Sequence, residues 1–168
     1  MDEHFYKQKF QEAVDTLSRK EFENAGLRLS VHFILESVAL KIYKPEWSSN
    51  PDAPLDATGR IFFSAWVNEK TGKEGKLYYN IHALKLKDLK AYKIQARHFA
   101  EEFRKQFTDD QKDWENVSTE YGPLTLMEGW IELKPDQVKS DLQNLAHKFL
   151  KLSPVIDHLL DNYRSKPR

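Results

Sequence analysis

Apolar residues recur every three or four positions in three parts of the chain, with charged residues between them. This spacing is typical of one face of an α-helix. It predicts helices over the first twenty residues, from about Lys90 to Phe107, and from Pro135 to Tyr163. Ser153-Pro154 should interrupt the last helix and start a final short one, because proline removes an internal hydrogen bond.

Elsewhere apolar and polar residues alternate, as in strands that turn one face toward a core. The alternation runs over residues 27–35 and then over 38–42 with the opposite parity. One continuous strand would turn the second set of apolar residues to the wrong face. We therefore expect a turn or a bulge at Glu36-Ser37.

The most distinct pair of strands covers residues 60–68 and 76–84, and a polar segment with two glycines, Glu69–Gly75, joins them. This pattern predicts a β-hairpin. Pairing Val67 with Leu77 makes apolar residues meet across it. Shorter strands are predicted at 117–121 and 127–133, and the proline-containing segment 44–59 is predicted to be a loop.

The predicted order of elements is α-β-β-β-β-α-β-β-α-α. Neighbouring strands with short connections favour an antiparallel sheet. We therefore expect a single α+β domain over residues 1–164, built as a two-layer sandwich. A mostly antiparallel sheet of about four to six strands would carry helices mainly on one face. Residues 165–168 are expected to form a frayed C-terminal tail.

The hairpin register divides the sheet into two different faces. One is uniformly apolar and suits helix packing, with Phe63, Val67, Leu77, Tyr79 and Ile81 predicted to be buried. The other combines aromatic rings, imidazoles, cations and an amide, which is richer than an ordinary solvated face. Its predicted ligand-binding residues are Arg28, His32, Lys41, Tyr43, Ser64, Trp66, Tyr78, Asn80 and His82.

Three alternatives remain open for this second face. Its aromatic residues are also typical of cross-strand pairs that stabilise a sheet. A helix or the long loop could cover the face as a second small core. A second copy of the chain could cover it in a homodimer.

Composition narrows the function classes. The chain of 168 residues has 26 basic and 26 acidic residues and no cysteine. Its neutrality excludes a highly basic nucleic-acid-coating protein, and the lack of cysteine excludes disulfide scaffolds and thiol catalysis. The six histidines are scattered, so we expect no metal site, and no motif indicates a cofactor or names a catalytic residue.

We therefore expect a non-catalytic binding or interaction protein that acts through the polar-aromatic face. One alternative is a small enzyme or small-molecule-binding domain that uses His32 and His82. Another is weak nucleic-acid binding through a basic stripe on the helix in the 85–105 region, formed by Lys90, Lys93, Arg97 and Arg104.

A cytoplasmic location and no membrane contact are also expected. The first residues are acidic and lack the pattern of a signal peptide. Each uncharged stretch of the chain is far shorter than the about 20 residues of a membrane helix.

Overall fold

The computed structural model describes residues 1–165. In that range the chain forms five α-helices and five strands. In chain order they are α1 (Glu3–Asp15), α2 (Arg19–Asn24), β1 (Arg28–Ile34), β2 (Ser37–Ser48), β3 (Arg60–Val67), α3 (Glu69–Lys73), β4 (Lys76–Leu84), α4 (Ala96–Phe107), β5 (Thr125–Glu132) and α5 (Val138–Asn162).

The strands form one antiparallel sheet in which spatial order equals chain order, β1-β2-β3-β4-β5. Helices α1, α4 and α5 pack on one face of this sheet and contact one another through α5. The predicted α+β class with an antiparallel sheet is confirmed. We call the face turned away from these helices the open face.

The β3–β4 hairpin has the predicted register. Trp66 pairs with Tyr78 and Arg60 with Leu84, which is the alignment that places Val67 opposite Leu77. The five side chains predicted for the core face are each at most 1% exposed. The turn between β1 and β2 also exists, but it lies at Leu35-Glu36, one residue earlier than predicted.

The predicted break of the last helix at Ser153-Pro154 is wrong, because α5 runs through Pro154 without interruption. Proline has no N–H to donate to the carbonyl four residues earlier, which belongs to Leu150. The Ser153 hydroxyl donates to that carbonyl instead, at 2.9 Å. The Leu150 carbonyl therefore keeps a hydrogen-bond partner.

The predicted loop over 44–59 begins too early, because β2 continues through Pro45 to Ser48. A register irregularity between Tyr43 and Ser48 accommodates the proline. Trp47 is fully buried, and its indole N–H donates to Asp157 of α5. Since Lys44 also donates to Asp157, at 2.7 Å, this end of β2 is attached to α5.

Other predicted boundaries differ as well. The first helix ends at Asp15, and a separate α2 follows it. The hairpin tip contains the short helix α3, which Asn68 caps. The predicted strand 117–121 contributes only one isolated bridge, between Ser118 and Glu128.

At the C-terminus, the N–H of Ser165 donates to the carbonyl of Ala91 at 2.9 Å. The rest of the tail predicted over 165–168 lies outside the described residues. Within residues 1–165, every helix is either too short or too polar to span a lipid bilayer.

Candidate functional site

The cross-strand register assigns all of the predicted ligand-binding residues to the open face. Their side chains alternate with the core residues along β1 to β4. The pairs that connect them are Arg28–Tyr43, His32–Ala39, Ala39–Trp66, Lys41–Ser64, Ser64–Asn80, Trp66–Tyr78 and Phe62–His82.

A line of aromatic rings crosses the open face, and we call Trp66, Tyr78 and Trp130 the aromatic row. The Trp66 and Tyr78 rings stack with centroids 5.5 Å apart. Trp130 of β5 lies opposite Tyr78, and the Lys76 ammonium lies 4.4 Å from its ring centroid. All three rings are half-buried, so they stabilise the sheet and still present apolar surface to solvent.

Beside the aromatic row, Phe62 is 5% exposed because polar side chains surround it. Lys41 Nζ lies 4.9 Å from its ring centroid, the Arg60 guanidinium carbon lies 5.4 Å away, and the His82 ring centroid lies 5.2 Å away. We call Lys41, Arg60, Phe62, Asn80 and His82 the Phe62 cluster.

Asn80 is the most deeply buried polar residue of the cluster, at 2% exposure. Its amide Nδ2 donates to His82 Nε2 at 3.0 Å and to Glu128 Oε1 at 3.1 Å. With Nε2 as an acceptor, a neutral His82 carries its proton on Nδ1.

Three atoms of the cluster are buried without a well-formed hydrogen bond: Arg60 Nε, Asn80 Oδ1 and His82 Nδ1, the last of which lies near the Leu124 carbonyl. In the part of the chain that the structure describes, they are the full set of such side-chain atoms. Buried polar groups are nearly always paired, so three such atoms in one cluster need an explanation.

The electrostatics of the cluster disfavour additional positive charge. Burial lowers the pKa of Lys41, and the Arg60 guanidinium lowers it further, against the opposing effect of Asp56. Burial also lowers the pKa of His82; the Leu124 carbonyl and Glu128 oppose this shift, while Lys41 and Arg60 add to it. An anion placed here would meet the Lys41 side chain and the Arg60 guanidinium, both of which lie within 5.4 Å of the Phe62 ring centroid.

His32 does not belong to the Phe62 cluster. It lies on β1, three strands from His82, which is about 14 Å across the sheet. Its Nε2 is hydrogen-bonded to Ser30 Oγ at 2.6 Å, whereas His82 bonds to Asn80. Burial, followed by the charge of Lys41, lowers the pKa of His32. The backbone therefore does not bring the two imidazoles together in one small site.

Arg28 and Tyr43 lie at the margin of the open face. With Arg19 and Glu23 of α2, they line a groove of about 230 Å³. They are therefore neighbours of the Phe62 cluster rather than members of it.

The basic stripe predicted for nucleic-acid binding does not form, because α4 begins only at Ala96. Lys90 and Lys93 precede the helix, and the Lys93 N–H donates to the carbonyl of Tyr163. The Arg104 guanidinium donates to the carbonyls of Gly122, Thr125 and Leu126, which attaches α4 to the chain leading into β5. Arg97, Lys90 and Lys93 are exposed, but only Arg97 of these three lies on the helix.

The predicted ligand-binding residues leave out Phe62, which the hairpin register turns to this face, and also Arg60, Glu128 and Trp130. Arg60 has the same parity as Phe62 and could have been found from it. Glu128 and Trp130 lie on β5. The sequence predicts a strand in this segment but does not indicate which strand it pairs with. Only the pairing of β5 with β4 brings Glu128 next to Asn80.

Residues 1–165 contain no cluster of three or more histidine or carboxylate side chains arranged to hold a metal ion. No family model matches the sequence, and neither a curated protein nor a solved structure matches the chain.

Proposed function

We propose that this chain is a non-catalytic binding protein and that the Phe62 cluster, with the adjoining aromatic row, is its ligand site. The observation that carries the proposal is that Arg60 Nε and Asn80 Oδ1 are buried without a hydrogen-bond partner in one cluster, beside a His82 Nδ1 whose contact with the Leu124 carbonyl is poorly aligned. Leaving such atoms unpaired costs free energy, and a ligand that pairs with them recovers it.

The atoms of the cluster specify complementary ligand chemistry. Arg60 Nε and the protonated His82 Nδ1 are donors, and Asn80 Oδ1 is an acceptor. Lys41 has no ion-pair partner within 4.0 Å among residues 1–165. These groups fit a ligand that has an acidic group and a hydrogen-bond donor. The acidic group would contact Lys41 and Arg60, and an N–H or O–H of the ligand would donate to Asn80 Oδ1.

The aromatic row adds a preference for flat ligands. The half-buried rings of Trp66 and Tyr78 stand next to the cluster, and aromatic surfaces pack well against planar rings. We therefore infer a small planar molecule that carries an acidic group. Its entry requires Lys41 to rotate off the Phe62 ring, a movement that a long, unpaired side chain makes easily.

We also propose that the protein is cytoplasmic. A chain without cysteine can form no disulfide, which is compatible with a reducing compartment. Nucleic acid is not the favoured partner, because Arg104 is held by backbone carbonyls and the basic stripe is not assembled.

Two-dimensional NMR of the labelled protein tests the ligand chemistry. Salicylate, adenosine monophosphate and inorganic phosphate serve as probes of an acidic ring, an acidic nucleotide and an acidic group alone. We expect the two aromatic probes to shift the side-chain signals of Asn80 and Trp66 and to bind more tightly than phosphate.

Lys41→Met should weaken binding of the aromatic probes at least about tenfold, because it removes the unpaired cation. Lys76→Met is the matched control, since Lys76 also lies over an aromatic ring of this face but outside the cluster. Equal effects of the two substitutions, or the lack of any shift from all three probes, would contradict the proposal.

A further inference from the structure

The two edges of the sheet differ. Next to β5, Ser118 exchanges two backbone hydrogen bonds with Glu128, at 2.8 and 3.0 Å, so part of that edge is covered. Strand β1 forms the other edge, and in residues 1–165 no strand or bridge lies on its outer side. The outer side of β1 therefore has no strand partner in this range, and α2 approaches it only near Arg28 and Leu29, where Arg19 and Glu23 line a groove.

The turn geometry shows which backbone groups of β1 point outward. Leu35 and Glu36 both have positive φ, as in a two-residue type I′ turn. The residues that flank such a turn, here Ile34 and Ser37, form a hydrogen-bonded pair. Hydrogen-bonded and non-bonded pairs alternate along an antiparallel ladder. Leu29, Val31 and Phe33 consequently direct their N–H and C=O groups away from β2.

Strand β1 has few of the features that usually prevent edge pairing: one charged residue, Arg28, and the Lys7 ammonium of α1, which lies 4.3 Å from the Phe33 ring centroid. It contains no lysine, no proline and no bulge, and its seven residues pair with β2 without interruption. Leu29 and Val31 are only half-buried against the core, and Phe33 is 42% exposed. The strand therefore offers free hydrogen-bonding groups beside incompletely covered apolar side chains.

We propose that β1 pairs with β1 of a second copy of this chain, antiparallel about a twofold axis through Val31. This register uses the full strand. It forms hydrogen-bonded pairs at the three outward-facing residues, with roughly six hydrogen bonds in total at two for each pair.

The side chains are self-complementary in this register. Leu29 of one copy lies beside Phe33 of the other on the helix-covered face, so each covers apolar surface that is exposed in the single chain. Arg28, the only formally charged residue of β1, lies opposite Ile34 of the other copy. The two arginines are thereby kept apart, and no like charges face each other.

The pairing joins two five-stranded sheets into one continuous sheet. Because the twofold axis is perpendicular to the sheet, the helices of both copies lie on one side and both open faces on the other. The β1 interface is separate from the ligand site, since the Val31 side chain lies on the helix-covered face of the sheet and the Phe62 cluster lies on the open face.

Sedimentation equilibrium measures the mass of the full chain directly. We expect the wild type to approach twice 19.8 kDa with increasing concentration. Val31→Pro removes an outward N–H, which an edge strand tolerates, and should raise the dimer dissociation constant at least about tenfold. Val31→Ala shortens the same side chain but keeps the N–H, so this control should still form the dimer.

Single cysteines provide a second measurement that does not depend on proline being tolerated. The chain has no cysteine, so each introduced thiol is unique. In the proposed register two residues 31 lie about 5.5 Å apart, whereas two residues 28 lie about 20 Å apart. Val31→Cys should therefore be cross-linked by a short bifunctional maleimide, and Arg28→Cys should not.

A dimer that Val31→Pro weakens and that cross-links only through position 31 supports the proposal. A chain that stays monomeric at all concentrations would overturn it. So would a dimer that cross-links equally well through position 28, because its interface would then lie elsewhere or have another register.

Discussion

Leu35 and Glu36 occupy the left-handed region, with φ of 51° and 63°, in the turn between β1 and β2. Side chains make this conformation costly by roughly 1–2 kcal/mol per residue, and asparagine followed by glycine is the preferred pair in such turns. Leu35 is 93% exposed, so no packing compensates for the cost.

Replacing the pair by Leu35→Asn with Glu36→Gly should therefore stabilise the protein by about 1–2 kcal/mol. Urea denaturation of the double variant measures this gain. Glu36→Ala is the control and should give no gain in stability, because a positive φ is as unfavourable for alanine as for glutamate. A double variant less stable than the wild type would show that the turn is not strained.

His82 is a buried imidazole whose protonation depends on the fold. Burial lowers its pKa, and so do Lys41 and Arg60, although the Leu124 carbonyl and Glu128 act in the opposite direction. Below its ordinary pKa of about 6.5, the unfolded chain takes up a proton that the folded chain resists. The free energy of unfolding should therefore decrease as the pH falls from 7 toward the lowered pKa.

His82→Gln should reduce this loss of stability at acid pH, because the amide cannot take up the proton in either state. Denaturation at a series of pH values measures the slope, and NMR titration of the ring gives its pKa directly. The same substitution at the exposed His158 controls for the loss of an imidazole as such. Titration of His82 above its ordinary range would contradict the prediction.

At the scale of elements, α5 tolerates Pro154 because Ser153 supplies the missing donor to the Leu150 carbonyl. Ser153→Ala should cost about 1–2 kcal/mol, since the Leu150 carbonyl loses the donor that a side chain only 2% exposed provides. In the background of Pro154→Ala, which restores the N–H, the same change should cost clearly less. Thermal or urea unfolding of the four proteins gives the comparison, and equal costs in both backgrounds would refute the compensation.

Gly129 in β5 permits the close approach of Tyr79 from β4. A Cβ at this position would lie 2.6 Å from Tyr79 Cζ and 3.0 Å from the Glu115 carbonyl oxygen. That oxygen accepts a hydrogen bond from the Tyr79 hydroxyl. Gly129→Ala should therefore destabilise the protein by roughly 1–3 kcal/mol. Gly72→Ala, where a Cβ meets nothing within 4 Å, should be neutral or slightly stabilising in the same unfolding experiment.

At the scale of the whole molecule, Phe63 joins the sheet to the helical layer. It is fully buried and stacks on Phe149 of α5, with centroids 4.8 Å apart. Phe63→Ala should cost about 3–5 kcal/mol, because the cavity opens between the two layers. Leu124→Ala, at a side chain that is 54% exposed, should change the stability by less than about 0.5 kcal/mol. A small loss at Phe63 in calorimetry would mean that the layers repack around the cavity.

The sequence by itself determined the two faces of the sheet and the register of its central hairpin. Both depend on local patterns: side chains alternate with a period of two along each strand, and a short hairpin aligns its apolar residues. For this reason the sequence places Trp66 on the open face and Phe63 in the core.

Only the tertiary structure decided which distant residues meet. Glu128 reaches Asn80 because β5 returns beside β4 after the α4 segment, and Asp157 reaches Trp47 across 110 positions of the chain. Pro154 stays inside α5, whose neighbouring residues Ile156, Leu159 and Leu160 are buried, while Ser153 pairs with the carbonyl that the proline leaves free. Such contacts depend on the packing of all the elements together, and no periodicity within one segment contains that information.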